Sequence, residues 1–72
     1  MMKLRKIACH QIVFEDSTSQ KMQLVELEDG VVMRCYPLKG EQPQTEWMSG
    51  SIYLRHDKMG LLRAFYENKE LK

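Results

Sequence analysis

The stretch Leu24-Val-Glu-Leu-Glu-Asp-Gly-Val-Val-Met-Arg-Cys-Tyr36 decides the fold class of this chain. It contains two runs rich in strand-forming residues, joined by Glu28-Asp29-Gly30. An Asp-Gly pair between two such runs is a strong short-range signal for a β-hairpin, because both residues tolerate a positive φ. The sequence therefore predicts an antiparallel hairpin here, and the register of this hairpin determines which side chains share a face.

Two registers of the hairpin compete. A two-residue Asp29-Gly30 turn pairs Glu28 with Val31 and mixes charged and apolar side chains on one face. A three-residue loop that also includes Glu28 pairs Leu27 with Val31 instead. It gives one face that is entirely apolar, made of Val25, Leu27, Val31, Met33 and Cys35. Because a one-residue shift moves every side chain to the other face, this clean separation favours the three-residue loop.

Other segments of the chain also carry strand signals. The segment Leu4 to Phe14 is rich in β-branched residues, but neither alternate set of its side chains is purely apolar. We expect this strand to be partly buried on both sides or to change face at a bulge. Residues 51–56 alternate well, with Ile52 and Leu54 on one side, and predict a further strand. Residues 38–45 contain glycine and proline and predict a surface loop.

The segment 61–71 fits two structures. As a helix, it places one stripe of side chains together, made of Leu61, Leu62, Phe65, Tyr66 and Lys69. As a strand, it turns at 67–69 and pairs with 51–56 across a short loop ending in Gly60. The short loop favours the strand. The predicted fold class is therefore all-β, a meander of five or six short antiparallel strands forming a partly open barrel or a single curled sheet. An α+β fold with a C-terminal helix is the alternative.

The length and composition of the chain limit its class. Its 72 residues predict a single small β-rich domain over 1–72. A domain of this size buries roughly 60% of its unfolded surface, and such domains are often stabilised by disulfides, a metal or a partner subunit. The chain has only two cysteines and two histidines. The composition therefore favours the partner subunit, and we expect a homodimer.

The charge and hydropathy of the chain argue against two kinds of partner. The formal net charge is +1, from 11 basic and 10 acidic residues, whereas dedicated nucleic-acid binders are usually more basic. No run of about 18 apolar residues is present, so no membrane-spanning helix is expected. The sequence begins without a convincing signal peptide, and its few cysteines suit a reducing compartment, so we expect a cytoplasmic location.

Residues of the types that carry chemistry are few and poorly spaced. Cys9, His10, Cys35 and His56 are zinc-ligand types, but their spacing matches no zinc motif. Adjacent Cys9 and His10 project to opposite faces of a strand, so they cannot reach one ion. The chain has no Gly-x-Ser-x-Gly motif and no glycine-rich phosphate loop. The sequence therefore predicts no catalytic residue, no metal and no cofactor, and hence a non-enzymatic protein.

Aromatic and arginine side chains form the most suggestive feature. Tyr36 and Tyr53 fall on the predicted outer faces of their strands, and Trp47 lies in or beside a loop. Together with Arg34 and Arg55 they give the mixture that is enriched at protein interfaces. The same mixture stacks nucleic-acid bases in other proteins, and half-buried packing also accounts for it. These five residues are the candidate interface.

A surplus of apolar side chains supports self-association. These residues fall opposite the predicted core face, and they are Ala8, Ile12, Phe14, Leu24, Val32, Tyr36 and Tyr53. Part of this set can close a barrel, and the rest predicts an exposed patch, which on a soluble protein tends to mark a partner site.

Three segments resemble a class of short, uncharacterised bacterial β-rich proteins: Tyr36-Pro-Leu-Lys-Gly-Glu-Gln-Pro, Thr45-Glu-Trp-Met-Ser-Gly-Ser-Ile and Leu62-Arg-Ala-Phe-Tyr-Glu-Asn. This resemblance implies no activity and assigns no functional residue. The expected function is a protein-interaction module that self-associates. A small β-barrel that binds nucleic acid is the alternative, and a small-molecule or metal binder is the second alternative.

Overall fold

A computed structural model describes residues 4–40 and 43–72 of the chain. The described part contains six strands and no helix, which confirms the predicted all-β class. The strands are β1 (Leu4–Val13), β2 (Ser19–Glu28), β3 (Val31–Pro37), β4 (Thr45–His56), β5 (Leu62–Tyr66) and β6 (Lys69–Leu71). The predicted surface loop over 38–45 falls partly outside the described residues, and β4 begins at its last position.

The C-terminal segment is two strands, so the alternative with a C-terminal helix is wrong. β5 pairs antiparallel with β4 from Tyr53–Phe65 to His56–Leu62, and β6 returns along β5. The turn between β5 and β6 has a positive φ at both Glu67 and Asn68. The short loop between β4 and β5 brings the two strands together, which is why pairing overrides the helical stripe.

The six strands form one curled mixed sheet in the order β3-β2-β1-β4-β5-β6. A further pairing of Val31 in β3 with Arg63 in β5 joins the strands into a ring of hydrogen bonds. β1 pairs antiparallel with β2 but parallel with β4. The predicted antiparallel meander is therefore wrong at this pairing, because β4 begins with Thr45 beside Lys6, near the start of β1, and runs in the same direction as β1.

The register of the β2–β3 hairpin differs from the prediction. Asp29 and Gly30 both have a positive φ, of 50° and 82°, and the turn pairs Glu28 with Val31. Two central residues with positive φ are the signature of a type I′ turn. The predicted three-residue loop is therefore wrong.

With this turn, a regular hairpin would place charged and apolar side chains on the same face. A β-bulge next to the Leu27–Val32 pair separates them again. Leu27 pairs with Val32, but Glu26 pairs with Arg34, so Met33 is an extra residue in β3. The bulge turns both Val32 and Cys35 towards the core, although they are three positions apart. It leaves Met33 54% exposed, so its predicted burial is wrong. Val25 and Leu27 are fully buried, as predicted.

A second irregularity changes the buried face of β1. Ile7 and Cys9 contribute to the core from odd positions, and Ile12 contributes from an even one. Between them the β1–β4 register shifts, since Cys9 pairs with Met48 but Gln11 pairs with Ser51. The extra residue in β4 lies at the Ser49–Gly50 step, where Gly50 adopts a φ of 104°. Both predicted alternatives for β1 therefore hold in part, since its buried face changes between Cys9 and Ile12 and Ala8 is buried on the other face.

The hydrophobic core fills the inside of the curled sheet. Its buried cluster comprises Ile7, Cys9, Ile12, Val25, Leu27, Ile52, Leu54, Ala64 and Leu71. Phe14 and Val32 pack against it, so their predicted position on the opposite side is wrong, as is that of Ile12. The two bulges therefore take up part of the apolar surplus that the regular alternation assigns to an exposed patch.

The bulge in β3 makes Leu27 and Met33, which the predicted register places on one buried face, unequal in their effect on stability. We expect Leu27→Ala to lower the free energy of unfolding by about 2–5 kcal/mol, because its side chain is fully buried. Met33→Ala should change it by no more than about 0.5 kcal/mol, because Met33 is exposed at the bulge. Urea denaturation at neutral pH measures both variants. Equal losses would contradict the bulge and favour the three-residue loop.

Candidate functional site

Four side chains form a lateral row on the outer face of the sheet. They are Tyr36 in β3, Leu24 in β2, Ala8 in β1 and Trp47 in β4, and each pairs directly with the next. Directly paired residues project from the same face, here the one opposite the core. We call these four residues the aromatic row. Its centre is closed to solvent, with Ala8 4% and Leu24 0% exposed, whereas Trp47 at its end is 47% exposed.

A carboxylate holds the β3 end of the aromatic row. The Tyr36 hydroxyl donates to Oε2 of Glu26 at 2.5 Å, and Nε of Arg34 lies 3.4 Å from Oε1 of the same carboxylate. The hydrogen bond to Glu26 raises the pKa of Tyr36, because ionisation would place a phenolate beside this carboxylate. Glu26 therefore contacts two of the five candidate interface residues, Tyr36 and Arg34, which lie two positions apart on the same face of β3.

The β4 bulge orients the other end of the aromatic row. The backbone N–H of Gly50 donates to Nδ1 of His10 at 3.0 Å. The His10 ring then meets the Trp47 indole edge-on, with centroids 4.8 Å apart and an interplanar angle of 89°. Such edge-to-face contacts favour one orientation of the two rings. Trp47 lies within β4, so its predicted position in or beside a loop is wrong.

Tyr53 and Arg55 lie elsewhere on the outer surface. They follow the Gly50 bulge on β4, and their β1 partners, Ala8 for Trp47 and Val13 for Tyr53, are five positions apart, about 17 Å along the strand axis. Tyr53 is 51% exposed and pairs with Val13 and Phe65. The Arg55 guanidinium lies 4.5 Å from the centroid of the Phe65 ring, in a cation–π contact. The structure therefore divides the five candidate interface residues between two places.

A cleft of about 450 Å³ adjoins Tyr53 and Arg55. It is lined by Val13, Phe14, Glu15, Ser17, Tyr53, Leu54, Arg55, Phe65, Glu67 and Asn68. At its edge, Glu15 pairs with Nδ1 of His56, and this contact holds the pKa of the Glu15 carboxyl below its usual range. The walls therefore come from the β1–β2 loop, the paired strands β4 and β5, and the β5–β6 turn.

Sequence reasoning named the members of the aromatic row but not their arrangement, and it missed most residues of the cleft. The sequence could have identified Phe65 as a neighbour of Tyr53, because the predicted pairing of 51–56 with the C-terminal strand brings the two residues close together. Ala8 and Leu24 were assigned to the outer face, but nothing in the sequence indicates that they separate Tyr36 from Trp47. That arrangement depends on the order of strands in the sheet.

The residues considered for metal binding and nucleophilic catalysis do not converge on one site, although Cys9 and Cys35 both contact Gln23. Cys9 is in the core and His10 on the outer face, as predicted for neighbours in a strand. Across residues 4–40 and 43–72, no group of three or more His, Cys, Asp or Glu side chains is placed to hold a metal ion. Burial raises the pKa of both thiols, Cys9 and Cys35, which keeps them protonated and poorly nucleophilic at neutral pH.

Comparison of the chain with protein-family models, with curated proteins and with solved structures found no match. The resemblance to short bacterial β-rich proteins stays a prediction. No helix in the described part of the chain is long and apolar enough to cross a membrane. The functional proposals therefore depend on the geometry of the aromatic row and of the cleft.

The contact between Tyr36 and Glu26 predicts a measurable effect on tyrosine ionisation. We expect Glu26→Gln to move the pKa of Tyr36 down towards the ordinary tyrosine value of about 10, because the facing negative charge is removed. Glu28→Gln, on the same strand, is the control and should leave the Tyr36 titration unchanged. Nuclear magnetic resonance of ¹³C-labelled tyrosine measures both. An unchanged Tyr36 curve in Glu26→Gln would contradict the contact.

Proposed function

We propose that the protein is a non-enzymatic interaction module that associates with a second copy of itself through the aromatic row. The observation that carries this proposal is the arrangement of the row. It places an aromatic side chain at each end of a row on the face opposite the core, and it leaves Trp47 at one of these ends 47% exposed, while the aliphatic centre is buried within the chain.

The row is suited to two-fold symmetry. In an isologous contact, residue i of one copy meets residue j of the other, and j meets i. A two-fold axis between Leu24 and Ala8 brings Tyr36 of each copy to Trp47 of the other. Leu24 and Ala8 at the centre are already buried within each copy, so the aromatic ends of the two rows make the contact. Aromatic pairs add about 0.5–1.5 kcal/mol beyond the area they bury.

The size and charge of the molecule permit such a dimer. Its accessible surface is 5186 Å², and a standard interface buries about 800 Å² of each partner, roughly a sixth of this value. The neighbouring lateral row alternates in charge, from Arg34 through Glu26 to Lys6. Charges of alternating sign form a polar rim that does not repel a second copy, whose net charge is only +1. A nucleic acid would instead require a basic stripe at this position.

Mutation of two exposed aromatic residues on β4 tests the interface. We expect sedimentation equilibrium at high micromolar concentration to show a species of twice 8.5 kDa. Trp47→Glu should weaken association about tenfold or more, because a charge would replace the exposed aromatic side chain at the end of the row. Tyr53→Glu is the matched control, because Tyr53 is equally exposed on the same strand but lies outside the row.

Two results would count against the proposal. A sedimenting species of 8.5 kDa alone, at every concentration, would exclude self-association. Equal weakening by Tyr53→Glu and Trp47→Glu would exclude the aromatic row as the interface. Circular dichroism of each variant establishes that the strands are intact.

A further inference from the structure

The cleft beside Tyr53 has the walls of a small-molecule site. Three aromatic side chains line it, Phe14, Tyr53 and Phe65, together with the apolar Val13. Its volume of about 450 Å³ lies within the usual range for ligand pockets, roughly 300–1,000 Å³. These walls suit one apolar or aromatic group that carries a short polar end.

One wall of the cleft offers a guanidinium with free donors. The Arg55 guanidinium carbon lies 4.5 Å from the centroid of the Phe65 ring, and within the described residues its side chain donates no hydrogen bond. Its charge acts on the neighbouring Glu15 carboxylate, which itself pairs with His56. A guanidinium presents five N–H donors in a rigid fork whose geometry matches a carboxylate. The cation–π contact with Phe65 restricts the Arg55 side chain, which reduces the entropy lost when a ligand binds.

The cleft also contains the opposite charge. Glu67 lines it and has no ion pair or hydrogen-bond partner among residues 4–40 and 43–72, whereas Glu15 is already paired with His56. A simple anion bound at Arg55 would face the Glu67 carboxylate, and a simple cation bound at Glu67 would face the guanidinium. A ligand carrying both charges satisfies both side chains.

We propose that this cleft binds a small zwitterion with an apolar side chain, the chemistry of a free apolar α-amino acid. The ligand carboxylate pairs with Arg55, its ammonium group pairs with Glu67, and its side chain lies among Phe14, Tyr53 and Phe65. The site shares no residue with the aromatic row, so it is independent of the proposed dimer and each copy of the chain carries one.

Three matched compounds test the charge requirement on the wild-type protein. They are L-phenylalanine, 3-phenylpropionate, which lacks the ammonium group, and 2-phenylethylamine, which lacks the carboxylate. Titrations followed by ¹H–¹⁵N spectra should show saturable shifts with phenylalanine, at amides around the cleft. We expect each of the other two compounds to bind about tenfold more weakly or worse, since each lacks one charge-assisted contact.

Two variants identify the residues responsible. Arg55→Gln should weaken phenylalanine binding about tenfold and remove its advantage over 2-phenylethylamine, whereas Glu67→Gln should remove its advantage over 3-phenylpropionate. Arg34→Gln, which removes an exposed arginine on β3, is the control and should leave binding unchanged.

Three outcomes would overturn the proposal. They are the lack of saturable phenylalanine binding to the wild-type protein, equal binding of phenylalanine and either singly charged compound, and equal effects of Arg34→Gln and Arg55→Gln. None of these depends on the oligomeric state, so failure here is distinguishable from failure of the proposed self-association.

Discussion

Closure of the sheet where β3 meets β5 is the constraint on which the rest of the structure depends. Val31 pairs with Arg63 there, and the Arg63 side chain donates to Asp57 at 2.9 Å and to the Asp29 carbonyl at 3.4 Å. One arginine thus joins the β2–β3 turn to the β4–β5 loop. Because the strands form a ring, one face of each strand becomes interior and the other becomes outer surface.

The curvature that closure requires explains the two bulges. A bulge adds one residue to one strand, bends it and increases its local twist. The bulge at Met33 lets β3 keep apolar contacts with the core after a two-residue turn. The bulge at Gly50 bends β4 where it pairs with β1. The irregularities that close the sheet therefore also set which side chains reach its outer surface.

Strand β4 connects the two proposed sites, because its outer face carries Trp47 before the Gly50 bulge and Tyr53 after it. The aromatic row presents to a partner chiefly the exposed Trp47 at its end, whereas the cleft needs a ligand small enough to enter between loops. Two exposed aromatic residues of one strand thus receive different roles. Their surroundings distinguish them: aliphatic neighbours and a histidine edge at Trp47, and an arginine–phenylalanine stack with acidic groups near Tyr53.

By itself, the sequence determined that a hairpin turns at 28–30, though not its register, and that Leu27 is buried, and it favoured strands over a helix after Gly60. Each depends on turn chemistry or alternation within a few residues, and such signals are present in the chain before it folds. Only the tertiary structure decided that β1 and β4 run parallel, that Met33 bulges outwards, and that Tyr53 lies apart from the aromatic row. These features depend on which distant strands become hydrogen-bonded neighbours, and no local pattern specifies that choice.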